Sequence, residues 1–74
     1  MSEKIMIIDD EIDIIFLLRD FFTLNDYEVI TALNAQEATE KLSEKPDLIL
    51  LDGGMTHVGA VKEVLKKMNI WMKI

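Results

Sequence analysis

A chain of 74 residues that is half hydrophobic and 30% charged reads as one globular domain, too apolar for disorder and too interrupted by charge for a membrane span. With no cysteine, it has no disulfide or thiolate metal site to reinforce a small core, so association with another chain is the expected route to stability. The formal net charge of −6 repels phosphate backbones and argues against direct nucleic-acid binding.

The opening Met1-Ser2-Glu3-Lys4 places an acid before a short apolar run and offers no small-residue cleavage site, so the cytoplasm is the expected location. Lys4-Ile5-Met6-Ile7-Ile8 is apolar, rich in β-branched residues and stopped by two aspartates, the pattern of a strand buried on both faces. From Ile12 to about Leu24 the spacing predicts a helix, with Ile12, Ile15, Phe16 and Phe22 as its core-facing stripe and Asp10 and Glu11 at its N-terminus. Asn25-Asp26 is a turn signal, and Tyr27-Glu28-Val29-Ile30-Thr31 reads as a second strand.

Asn34 followed three residues later by Glu37 marks a helix start, and Ala35, Ala38 and Leu42 form its narrow apolar stripe until Pro46 forbids continuation. Leu48-Ile49-Leu50-Leu51 is a third strand, again closed by an aspartate, Asp52. After a loose loop from Gly53 to Gly59, the apolar residues Val61, Val64, Leu65 and Met68 recur at helical spacing, and residues 70–74 read as a fourth strand. Strands alternating with helices predict an α/β fold on a parallel sheet.

In such sheets ligands bind beyond the carboxyl ends of the strands, where Asp9, Asp10 and Asp52 converge if the first and third strands are neighbours. Three carboxylates repel one another unless a proton or a cation neutralises them, and a hard divalent ion such as Mg²⁺, which takes oxygen ligands, answers that need. The alternative is that acids at strand ends cap the next helix and stay solvated. His57 in the polar loop is read as a solvated side chain and the Lys62, Lys66 and Lys67 group as the wet face of the third helix.

The segments Ile7-Ile8-Asp9-Asp10-Glu11, Tyr27-Glu28-Val29, Lys45-Pro46-Asp47-Leu48-Ile49-Leu50-Leu51-Asp52 and Met55 resemble, in order and spacing, the receiver domains of two-component response regulators. The resemblance covers residues 3–52 well and 53–74 loosely. It implies a flavodoxin-like fold with β-strand order 2-1-3-4, shortened after the fourth strand so that strand five and the last two helices are lacking. It implies Asp52 as phospho-acceptor, Asp10 as direct Mg²⁺ ligand, Asp9 as an acidic partner through water, and Gly54 as a carbonyl ligand. A histidine kinase or a small phosphodonor is the implied source of the phosphoryl group, and the domain is a signalling module more than an enzyme.

The sequence departs from the family after Asp52. Thr56 stands at the position of the family's proline, and Gly59 comes about one residue early without a preceding aspartate. The family's hydroxyl residue after strand four and its lysine after strand five fall beyond Ile74, so an impaired switch is expected. A competing class is a fragment or engineered half-domain whose main property is self-assembly. A phosphohydrolase of the haloacid-dehalogenase type is disfavoured, because Asp52-Gly53-Gly54-Met55 lacks that family's second aspartate. Beyond its core stripe the first helix carries a second apolar set, Ile14, Leu17, Leu18, Phe21 and Leu24, and the fourth strand is expected to leave an uncovered edge carrying Trp71, Met72 and Ile74, so a homodimer or higher homo-oligomer is expected.

Overall fold

The computed structural model describes residues 3–52, 59–68 and 71–73. Strand β1 (Lys4–Ile8) leads into helix α1 (Ile12–Leu24), followed by β2 (Glu28–Ala32), α2 (Ala35–Lys41) with a short 3₁₀ turn (Leu42–Glu44), β3 (Leu48–Leu51), α3 (Gly59–Met68) and β4 (Trp71–Lys73). The four strands form one parallel sheet in the order β2-β1-β3-β4, the flavodoxin-like arrangement that the resemblance implies. Among the described residues no helix is long and apolar enough to cross a membrane.

Because β1 has a neighbour on each side, both of its faces must be covered, and this is why its sequence is an unbroken apolar run. Met6 and Ile8 point to the side of α2 and α3, where they pack with Ile30, Ala32, Ala38, Ile49, Leu51 and Leu65. Ile5 and Ile7 point to the other side, against Ile15 of α1, with Leu18, Phe22, Tyr27, Val29, Leu48 and Leu50 around them. Met6, Ile7, Ile8, Ile49 and Leu51 are fully buried.

Helix α1 has the expected bounds but presents a different face. Ile15 is buried and Leu18 and Phe22 pack on the core, whereas Ile12 and Phe16, expected in the core stripe, are 49% and 45% exposed. The spacing 15, 18, 22 forms one line down the helix over β1 and β2, and it rotates Ile12 and Phe16 outward. Phe16 is instead covered in part by Arg19, whose guanidinium lies 4.7 Å from the ring centre. Leu18, assigned to the outer set, is thus an inner residue, while Ile14, Leu17, Phe21 and Leu24 of that set are exposed.

Strand β2 begins one residue later than its composition suggests. The Tyr27 N–H donates to the Phe22 carbonyl at 3.0 Å and its ring meets Phe22 edge-on at 5.7 Å, so Tyr27 closes the helix end before the ladder starts at Glu28. The start of α2 is as read: the Asn34 side chain accepts from the Glu37 N–H at 2.8 Å, and Glu37 accepts from the Leu33 N–H at 3.0 Å. At the far end of the sheet Lys4 and Asp47 are locked together. The Lys4 N–H donates to Asp47 Oδ2 at 2.7 Å and the Asp47 N–H returns to the Lys4 carbonyl at 2.7 Å.

Candidate functional site

Two backbone ladders place the aspartates. The pairing of β1 with β3 runs from Ile5 and Leu48 to Ile8 and Leu51, so the next residue of each strand, Asp9 and Asp52, comes to the same sheet end. The ladders extend past the strands, since the Asp52 N–H donates to the Ile8 carbonyl at 3.0 Å and the Asp9 N–H to the Ala32 carbonyl at 3.1 Å. Asp9 is thereby tied to β2 and Asp52 to β1. The Glu11 N–H, at the mouth of α1, donates to Asp9 Oδ1 at 2.9 Å and orients that carboxyl.

Asp9, Asp10 and Asp52 each offer a carboxylate oxygen, and these oxygens all lie within 4.8 Å of one another. Asp9 is the buried member at 4% exposure, Asp10 is exposed, and Asp52 lies between. Burial pushes the Asp9 carboxyl above its ordinary pKa, the Glu11 N–H opposes that shift, and the Asp52 charge, a hydrogen bond with the Asp52 side chain and the Asp10 charge raise it further. The crowding of like charges that raises Asp9 is what a bound cation would relieve.

This donor set fits a hard divalent cation. It supplies oxygen ligands alone, with excess negative charge and one solvent-facing member that leaves room for water, which is how Mg²⁺ is usually held. Of the four ligands expected from the sequence, the structure brings together Asp9, Asp10 and Asp52, while Gly54 lies outside the described residues, as do His57, Met55 and Thr56.

Beside the carboxylates runs a groove of about 400 Å³, lined by Asp9, Glu11, Ile14, Leu17, Leu18 and Asp52. Glu11 and this apolar wall were not assigned to the site from the sequence. The signal was present in the second apolar set of α1, but only the sheet register shows that its N-terminal half stands next to Asp52.

The family model for the response regulator receiver domain matches residues 5–70. The chain is 37% identical over 71 residues to sporulation initiation phosphotransferase F of Bacillus subtilis, covering 95% of this chain and 56% of that protein. A crystal structure of the response regulator TrrA from Thermotoga maritima in complex with Mg(2+)-BeF superposes with a TM-score of 0.78 at 30% identity, covering 97% of this chain and 66% of that one. A crystal structure of the P1 domain of CheA3 in complex with CheY6 from R. sphaeroides gives a TM-score of 0.70 at 34% identity, covering 88% of this chain and 54% of that one. The chain thus spans a little over half the length of sporulation initiation phosphotransferase F, and 29% of the alkaline phosphatase synthesis transcriptional regulatory protein PhoP of Bacillus subtilis, to which it is 41% identical over 70 residues.

Proposed function

The chain belongs to the response regulator receiver domain family, and from that premise we propose that residues 1–74 form one receiver unit, a phosphoacceptor module of a two-component phosphorelay with Asp52 as acceptor. The observation that carries this reading is the convergence of Asp9, Asp10 and Asp52 at one sheet end, beside an open groove. In our assignment Asp10 and Asp52 bind Mg²⁺ directly, the Gly54 carbonyl completes the protein ligands, and Asp9 acts through water. When bound, the cation offsets the carboxylate charge and the charge on the phosphoryl oxygens during transfer.

An Asp52 oxygen forms the new bond to phosphorus while the bond from phosphorus to the donor breaks, and the donor atom keeps the electron pair. Asp52 suits this role because its backbone is held by the Ile8 carbonyl and its carboxyl is only part-buried, so it is placed and still reachable. Asp9, held by the Glu11 N–H, concentrates negative charge behind the acceptor and draws in the cation. We assign the donor to a histidine kinase or a small phosphodonor and the setting to the cytoplasm. The structural relative crystallised as a complex with a P1 domain supports a protein partner. On this reading the module is passive and is not itself an enzyme.

The test is incubation of the purified chain with acetyl phosphate and Mg²⁺ followed by intact-mass measurement. One added phosphoryl mass is expected in the parent and none in Asp52→Asn or with excess chelator. A parent of unchanged mass, or label that persists in Asp52→Asn, overturns the assignment. A homodimer is the second reading, favoured by the outward residues Leu17, Phe21 and Leu24 of α1, which are 65%, 58% and 84% exposed. Sedimentation equilibrium tests it.

A further inference from the structure

We draw no further inference here: the strongest candidate, the groove between α1 and the strand ends, belongs at its carboxylate end to the site already described and at its apolar end, along Ile14, Leu17 and Leu18, is an unpartnered face with nothing in the structure to show what covers it.

Discussion

The Asp52 N–H donates to the carbonyl of Ile8 one rung beyond the Ile8–Leu51 pair, and this single bond sets Asp52 beside Asp9. The acidic cluster is therefore a property of strand register, not of a loop. A slip of one residue would turn Leu51 and Ile49 to the opposite face of the sheet and break up the core that they share with Met6 and Ile8. The side chains that hold the register lie in the core, far from solvent, so the positions of the carboxylates follow from hydrophobic packing.

Mg²⁺ is expected to stabilise the fold through this cluster. At a free concentration one hundred times its dissociation constant, a ligand specific to the native state adds about 2.7 kcal/mol. Asp10→Asn should remove most of that gain while leaving the metal-free protein folded. Melting curves recorded with and without Mg²⁺ decide it, and coincident curves for the parent would show that the three carboxylates hold no ion.

The raised pKa of Asp9 fixes the sign of a pH effect. The folded chain keeps this proton to higher pH than the unfolded chain, so between the ordinary carboxyl value and the raised value the native state binds more protons and stability falls as pH rises. Above that window the penalty is constant. Asp9→Asn, which keeps an acceptor for the Glu11 N–H, should be more stable than the parent at neutral pH without metal, and the difference should vanish in acid. Urea titrations of both proteins across the acidic range measure it, and a parent that gains on the variant as pH rises would reverse the argument.

Asn34 supplies the only side-chain cap seen at a helix start among the described residues. Asn34→Ala should cost about 1 kcal/mol in a denaturant titration. The Mg²⁺ response should be unaffected, since Asn34 is not among the residues that line the site. A loss of metal response in this variant would mean that the β2–α2 corner helps to hold the carboxylates.

The two sides of α1 give opposite expectations. Ile15→Ala removes a buried side chain and should cost about 2–5 kcal/mol, whereas Leu17→Ala in a monomer should stay within about 0.5 kcal/mol. For the homodimer, sedimentation equilibrium should report twice the 8.5 kDa chain mass, reduced to the chain mass by Leu17→Lys. Asp13 and Asp20 share that helix and are exposed, so pairing of two like copies should strengthen with salt. A parent at the chain mass would retire the dimer reading.

What the sequence made legible follows from contrast. β1 and β3 stand out because an all-apolar run ends abruptly at a carboxylate, and the same contrast marks the site. The inward face of α1 was not legible, because a helix apolar nearly all round carries little phase information, and its rotation is set by β1 and β2. The first residue of β2 was missed because Tyr27 is as good a strand residue as Val29, and only its bond to Phe22 assigns it to the turn. Likewise nothing about Lys45 as a residue type predicts its left-handed φ of 57°. Pro46 keeps Lys45 out of the right-handed helical region, but extended backbone would satisfy it equally, and it is the Lys45 N–H bond to the Leu42 carbonyl at 3.0 Å that accompanies the left-handed turn.

The reciprocal clasp of Lys4 with Asp47 joins residues 43 positions apart and closes the sheet end opposite the carboxylates. It also orders events in time. β1 precedes both of its partners in the chain, and the second arrives only with residues 48–51, so β1 cannot be flanked on both sides until those residues exist. Such distant pairings slow folding, because the ends of a long loop must meet before any contact rewards them. Until then the apolar run from Ile5 to Ile8 has an open edge, which makes it the stretch most prone to pair with the wrong chain during synthesis. Pulse-labelled hydrogen exchange during refolding reads this directly: amides of β1 and β3 should gain protection in the same phase, and early protection of β1 alone would contradict it.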